Sequence, residues 1–446
     1  MAIPRITIVG GGFAGFYAAR RLEKLIPRGA AELVMINTRD YLLYSPLLPE
    51  VVTGTLSPRD IAVALRQTLR RTRVVLGQVL DADFDAATVK VATTSRGTVD
   101  MSYDRLILAP GSVTKQFDIP GVAEQARGLK TLSEATFLRD HLLGQLDLVD
   151  ALGDTEDDRV EREQRLTVVA VGAGYTGAET VAQAQHAIKS MTRRWTSISP
   201  DDLRWILVDL ADKVLPELGD DLGARALQYL RRRGVDVRLG VTVKRATDTE
   251  VELTDGTTVP CRTLLWGAGV APSPLIKQLG LDTEKGRLIV DAQCRVTGLT
   301  NVWAVGDSAA VPDLSKKVGP QGKRPVAGMT AQNAQRQGTA VARNVAASIG
   351  LGVAKNYKHR DLGLVADFGG ADAVAKPLGI PLTGLAAKTV ARGYHLYALP
   401  MMSNRIRVAV DWLLRALLPA QAVDLGVVDP KDAVMSKAQR TDAYTS

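Results

Sequence analysis

The apolar residues of this chain gather in short unbroken runs, each followed by glycine and then by a stretch with helical spacing. Arg5-Ile6-Thr7-Ile8-Val9 and Leu166-Thr167-Val168-Val169-Ala170-Val171 lack the in-out alternation of a half-exposed strand, so both read as strands buried on two faces, as in a parallel sheet. Phe16–Leu25 and Ala178–Ile188 read as the helices that follow them. Glu32–Ile36 and Trp205–Val208 read as further strands, ending in Asn37 and Asp209. Residues Val74–Val91 are rich in β-type side chains, and Tyr103–Leu108 is a strand running into the turn Ala109-Pro110-Gly111. The same strand-and-turn sequence returns at Thr263–Trp266 with Gly267-Ala268-Gly269, and Val302-Trp303-Ala304-Val305-Gly306-Asp307 adds one more strand ending in an acid. This alternation predicts an α/β fold.

Two glycine clusters refine it. Gly10-Gly11-Gly12-Phe13-Ala14-Gly15 and Gly172-Ala173-Gly174-Tyr175-Thr176-Gly177 each lie between a strand and a helix. In such a fingerprint the first Gly makes the turn, the second admits a pyrophosphate to the backbone, and the third lets helix and strand pack closely. Two copies imply two dinucleotides, hence electron transfer, on two Rossmann-like units. The expected order is 1–120 and 296–375 for the first unit, 121–165 for a connecting segment and charged linker, 166–295 for a second unit inserted in the first, and 376–446 for a C-terminal amphipathic helical region. Asp209, at the end of its strand, is the group that accepts ribose hydroxyls and repels a 2′-phosphate, which favours NADH over NADPH, although Lys213 lies nearby. Asn37 in the equivalent place keeps the hydrogen bond without the charge.

Charge narrows the partners. A net charge of +8 over 446 residues comes from scattered Lys and Arg without interleaved aromatics, which argues against nucleic acid and for an anionic membrane surface. No apolar run reaches the roughly 18 residues of a membrane span, and the first strand starts too early to leave room for a targeting peptide, so cytoplasmic residence is expected. Cys261 and Cys294 form no C-x-x-C pair and read as buried bystanders. No metal is expected. In the C-terminal region Ile406, Val410, Leu413, Leu414, Leu417 and Leu418 follow helical spacing, with Arg407, Asp411 and Arg415 opposite and Trp412 on the flank. Such a helix lies in a bilayer interface, or docks on its own core or on a second copy in a homodimer.

Taken in order, the fingerprints, the two strand-glycine turns and the Ala-Val-Gly-Asp element resemble the two-dinucleotide-binding-domain flavoproteins over about residues 5 to 345. Within them, Tyr41-Leu42-Leu43-Tyr44-Ser45-Pro46-Leu47-Leu48-Pro49-Glu50-Val51-Val52-Thr53-Gly54, Gly177-Ala178-Glu179 and Thr330-Ala331-Gln332-Asn333-Ala334 resemble the type II NADH:quinone oxidoreductases, single-subunit enzymes that do not pump protons. The resemblance implies FAD in the first unit, on Gly10, Gly12, Gly15, Asn37, Gly111 and the acid Asp307. It implies NADH in the second, on Gly172, Gly174, Gly177 and Asp209, with Gly267 and Gly269 lining the nicotinamide approach. A helix starting near Ala331 would turn its dipole to the reduced flavin. Gln332 resembles a glutamine beside the quinone head group, and Glu179 a carboxylate that moves a proton to it. Read from local pattern alone, Glu179 is equally a carboxylate favoured by a helix N-terminus. The implied home is the cytoplasmic face of the membrane.

Three positions depart from the pattern. Asn37 replaces the usual acid, Ser45 a frequent glutamine, and Arg336 the second glutamine of the A-Q-x-A-x-Q element, which puts a cation beside a neutral acceptor. Two other functions stay open: a soluble NADH-dependent flavin reductase with a non-quinone acceptor, and a non-catalytic flavin redox sensor. Sulfide oxidation would need a cysteine pair at the flavin.

Overall fold

The computed structural model describes residues 3–93, 97–319 and 322–439. Residues 1, 2, 94–96, 320, 321 and 440–446, which fall in the expected segments 1–120, 296–375 and 376–446, lie outside the described residues. One five-stranded sheet runs in the order Val302–Ala304, Arg105–Leu108, Arg5–Val9, Glu32–Asn37, Thr72–Leu76, with every pairing parallel. A second repeats the plan as Ala126–Gly128, Thr263–Trp266, Thr167–Val171, Arg204–Asp209, Val235–Leu239, again all parallel. The edge strand Val302–Ala304 returns to the first sheet after the second is complete, so one α/β unit is inserted in the other. Strands such as Thr167–Val171 are buried at every residue, which is why their sequence shows no alternation.

Both fingerprint helices start three residues earlier than the apolar spacing suggests, at Phe13 and Tyr175. Gly12 and Gly174 already hold the extended N-cap geometry, so the glycine-containing first turn belongs to the helix although its small residues give no helical apolar pattern. The segment Val74–Val91 divides into the end of Thr72–Leu76 and an antiparallel meander whose first two strands are Gln78–Asp83 and Thr88–Thr93. The charged stretch expected as a solvated linker is helical. Glu156–Leu166 carries a Thr155–Asp158 capping box and buries Leu166 alone, whereas the helix before it, Leu132–Asp150, buries Phe137, Leu138, Leu142, Leu143, Leu146 and Val149 in the core.

Two features bring the cradles together. An antiparallel ribbon, Ser112–Thr114 with Val270–Pro272, ties the strand-end turns of the two sheets to each other. Helix Ala331–Ser348 lies across helix Phe13–Leu25 so closely that a Cβ on Gly338 would stand 2.1 Å from the Ala14 carbonyl oxygen. Beyond them a small antiparallel sheet, Val365–Asp367, Ala373–Ala375 and Leu382–Thr383, precedes helices Gly384–Ala398 and Met402–Leu417.

Candidate functional site

The two glycine cradles are built alike. Gly10 has φ +98° and Gly172 φ +105°, and a Cβ on either would run into the backbone of the neighbouring strand-end turn, Ala109 O at 2.1 Å and Gly267 O at 2.4 Å. A Cβ on Gly15 or Gly177 would lie 1.9 Å from the carbonyl oxygen of Gly10 or Gly172, so any side chain there would force helix and strand apart. Gly12 and Gly174 are different. A Cβ on either meets nothing within 4 Å, so the glycine keeps open space in front of the helix. Neither helix has a side-chain cap or an acid in its first turn, which leaves the first-turn N–H groups and the positive end of the dipole facing that space.

The strand-end side chains brace these loops. Asn37 Oδ1 accepts from Gly11 N at 2.8 Å, and its Nδ2 donates to Arg39 O at 2.8 Å. Asp209 Oδ2 accepts from Ala173 N at 2.5 Å, and its Oδ1 from Ala211 N at 2.7 Å. The amide and the carboxylate thus do the same structural work, with a negative charge in the second cradle only. Lys213, close to Asp209 in sequence, pairs instead with Asp220 at 2.8 Å.

Where the sheets meet, Asp307 stands on a short turn whose Gly306 N donates to Gln337 Oε1 at 2.7 Å. Ser112 Oγ donates to Asp307 Oδ2 at 2.6 Å, and Lys130 Nζ donates to that same hydroxyl at 2.8 Å. Burial pulls the Lys130 pKa down while Asp307 and Glu134 hold it up. Arg287 is 6% exposed, and its Nε and Nη2 have no partner among the described residues although Nη1 reaches Ala327 O at 2.9 Å. Gly111 and Gly269, with φ of +76° and +90°, complete the turns at either end of the ribbon, and Gly269 N donates to Gly267 O at 2.8 Å.

Ala331 opens its helix as expected, with Thr330 as the cap accepting from Asn333 N at 3.2 Å. Gln332 Nε2 donates to Gly363 O at 2.8 Å, leaving Oε1 buried without a partner among the described residues. Arg336 Nη1 is likewise buried and unpaired among them, and its charge is felt by Tyr357, His359 and Tyr394. Beside them runs an aromatic series: Phe13 to Tyr44 at 5.8 Å, Tyr44 to His395 at 5.9 Å, and His395 to Tyr394 at 5.6 Å between ring centroids.

Glu179 departs from the expectation of a dipole-stabilised anion. Burial raises its pKa well above the ordinary carboxyl value; Asp367 N donates to its Oε1 at 2.7 Å and lowers it, while the Asp367 and Glu50 charges push it further up. Lys388 Nζ pairs with Asp367 Oδ1 at 3.0 Å, with the two side chains 12% and 13% exposed. Desolvation thus favours the neutral form of the Glu179 carboxyl over the anion.

Residues 4–338 match the pyridine nucleotide-disulphide oxidoreductase family. The chain is 36% identical to the type II NADH:quinone oxidoreductase NdhA of Mycobacterium tuberculosis over 330 residues, 70% of this chain and 67% of the relative. It is 31% identical to a second such enzyme of that organism, Ndh, over 435 residues, 93% of this chain and 88% of the relative. The chain belongs to the type II NADH:quinone oxidoreductases. A solved NDH2 of Plasmodium falciparum in complex with NADH, 19% identical, shares the fold with a TM-score of 0.85 over 95% of this chain and 100% of that one. A demethylphylloquinone reductase, NdbB of Synechocystis, is 30% identical over 93% of this chain and 97% of its own length.

As a member of this family the chain is a flavoprotein oxidoreductase using FAD and NADH, and the cradles suit such groups: two helix N-termini without a competing acid, each behind open space, bordered by buried donors on Arg287 and Lys130. The disulphide of the broader family has no counterpart. Cys261 and Cys294 sit in separate core clusters, and burial raises both thiol pKa values, that of Cys261 to about 12, so neither supplies a thiolate. Sequence reasoning missed Ser112, Lys130, Arg287, Tyr44, His395, Lys388 and the side chain of Glu50. None stands in a local pattern that carries chemistry; only Glu50 and Tyr44 fell within a motif already singled out.

Proposed function

We propose that this chain takes hydride from NADH and delivers the electrons to a membrane quinone, without moving protons across the membrane, from the cytoplasmic face. The observation that carries the reading is the meeting of two open glycine cradles at one ribbon, next to a buried Gln332 oxygen without a partner among the described residues and the Phe13–Tyr44–His395–Tyr394 aromatic series. In this reading residues 166–295 hold NADH through Gly172, Gly174, Gly177 and Asp209, with Gly267 and Gly269 beside the nicotinamide. Residues 1–120 and 296–375 hold FAD through Gly10, Gly12, Gly15, Asn37, Gly111, Asp307 and Ala331. Bound FAD supplies the two-electron relay between a hydride donor and a quinone.

The protein's own part is placement and proton supply. Asp307, with Oδ2 engaged by Ser112, keeps its other oxygen for a ribityl hydroxyl, and Lys130 stabilises that arrangement through the shared hydroxyl. The N-terminus of helix Ala331–Ser348 offers positive potential to developing negative charge. Gln332 orients the quinone head group, and Glu179, whose neutral form burial favours, hands a proton to a quinone oxygen. Arg336, whose Nη1 is buried and without a partner among the described residues, serves as a second donor to a quinone carbonyl where relatives of the A-Q-x-A-x-Q pattern carry an amide.

Membrane contact falls to helix Met402–Leu417, where Ile406, Leu413 and Leu417 are 57%, 59% and 71% exposed. Among the described residues no helix is long and apolar enough to cross a membrane, and an interfacial position suits a helix with an outward apolar stripe among cations. A second copy covering that stripe is the competing arrangement.

Steady-state NADH oxidation by the purified yellow protein, compared across short-chain benzoquinones, naphthoquinones and ferricyanide, tests the acceptor. Quinone turnover at or above the ferricyanide rate is expected. Ferricyanide reduction with no quinone turnover would leave a soluble flavin reductase, and flavin reduction without turnover on any acceptor would leave a redox sensor.

A further inference from the structure

Glu50, on the short helix Leu48–Val52, is 7% exposed and belongs to neither cradle. Its Oε2 accepts from Trp412 Nε1 at 2.5 Å, so a side chain of the outermost helix reaches a buried carboxyl. Arg392 lies over the Trp412 ring at 4.9 Å from its centroid, with its Nε buried and unpaired among the described residues. The helix of Glu50 packs directly on helix Tyr175–Met191, which carries Glu179, and on helix Leu132–Asp150. On that last helix Arg139 pairs with its neighbour Asp140 at 3.0 Å. The charged groups felt by Glu50 are therefore Asp367, Arg392 and Lys388, and it acts in turn on Glu179.

Glu50, Glu179 and Asp367 share one buried region with two cations, Lys388 and Arg392, and Lys388 is already committed to Asp367. Three ionised carboxyls there would leave uncompensated negative charge in a desolvated site, which the cluster avoids by holding exchangeable protons.

We propose that Glu50 is the residue that resupplies Glu179 with its proton, and that Trp412 ties this supply to the docked C-terminal helix. The inference rests on the quinone reading above. Of the two protons that convert a quinone to a quinol, one arrives with the hydride of NADH and one from solvent. After Glu179 gives its proton to the quinone oxygen, a proton leaves the Glu50 carboxyl for the Glu179 carboxylate, and Glu50 is reprotonated from solvent; no electron moves in either transfer. Glu50 acts through Glu179 and is a positioning and supply residue. Burial, then the Asp367 charge, raises the Glu50 carboxyl to about 7, while the Trp412 hydrogen bond, Arg392 and Lys388 pull it down. A group at that value is protonated and able to donate below neutrality and loses the proton as pH rises through it.

The test is the ratio of quinone turnover to ferricyanide turnover in the same preparation from pH 5.5 to 9, since ferricyanide takes electrons without protons. In the wild type this ratio should fall as pH rises through about 7. Glu50→Gln should lower the ratio at pH 6 about tenfold and flatten its pH dependence, a modest share of what acid–base groups contribute. Adding Glu50→Gln to Glu179→Gln should cost little beyond the single Glu179 change, because the two act in series. Trp412→Phe keeps the carboxyl but removes the donor that favours its charged form, so the descending limb should move to higher pH. A wild type that turns over quinone, with Glu50→Gln matching it in ratio and profile, would overturn this inference alone. A wild type that reduces ferricyanide and no quinone would overturn the acceptor reading and this inference with it. Should Glu50→Gln not fold, a Trp412→Phe limb identical to that of the wild type would equally overturn the role of Glu50.

Discussion

Asn37 and Asp209 show how one side chain can serve two ends. Each accepts a backbone N–H from its glycine loop, at 2.8 Å and 2.5 Å, so each is part of the scaffold before any nucleotide arrives. Asp209 adds a charge that a 2′-phosphate would meet at close range. Asp209→Asn keeps an acceptor for Ala173 N while removing that charge. Its kcat/KM for NADH is expected to drop about tenfold, as for loss of one charge-assisted hydrogen bond, and its NADPH-to-NADH preference to rise. An unchanged ratio of the two cofactors in steady-state assays would show that the ribose contact lies elsewhere. The motif glycines and these two strand ends were legible because their spacing is local. Ser112 and Lys130 were not, since the chain between Ser112 and Asp307 includes the whole second sheet and the link exists only once the ribbon has formed.

At the scale of the element, the C-terminal helix narrows the expectation from its pattern. Its apolar spacing marked Ile406, Val410, Leu413, Leu414, Leu417 and Leu418 as the docking stripe for membrane, partner or core, and the structure leaves all six exposed, with Leu418 as the C-cap. The helix is held instead by Asn404, Val408 and Trp412, spaced four apart. Asn404 Nδ2 donates to the carbonyls of Arg59, Asp60 and Ala62, and Trp412 to Glu50. Docking on the chain's own core is thereby removed as the use of the apolar stripe. Replacing Leu413 and Leu417 together by Glu should leave folding intact, since both are exposed, and should weaken co-sedimentation with anionic vesicles at least tenfold, roughly the loss of two buried leucines from an interface. Full retention on vesicles would assign the stripe to a second copy of the chain. Polar docking of this kind escapes sequence periodicity because the two N–H groups of a single Asn can reach a cluster of three carbonyls without any apolar neighbour announcing it.

For the molecule as a whole, stability should depend on pH through groups the folded chain keeps uncharged. His141, on helix Leu132–Asp150, bonds Thr263 Oγ1 of the second sheet at 2.8 Å and stacks on Phe137 at 5.4 Å. Burial, helped by the charges of Arg127 and Arg165, lowers its pKa to about 4. A folded value below the unfolded one means that its contribution is complete above about pH 6.5 and is lost as pH falls toward 4. Glu50, raised to about 7, works in the opposite direction, complete at low pH and lost as pH rises through neutrality, so the two partly cancel in the wild type. The stability difference between wild type and His141→Gln isolates the histidine. It should shrink by roughly 2 kcal/mol between pH 7 and pH 4.5, measured by denaturant unfolding. A constant difference would place a charged or solvated imidazole at this position.

The sequence by itself determined the doubly wound architecture and the two cradles, because glycine geometry, strand burial and helix starts are written within spans of a few residues. Only the tertiary structure decided which way the C-terminal helix faces, that desolvation raises the Glu179 carboxyl well above its ordinary value, and that Glu50, Asp367 and Lys388 share its environment. Those properties depend on desolvation and on charges from segments far apart in the chain, and no local pattern of residues encodes the dielectric around a side chain.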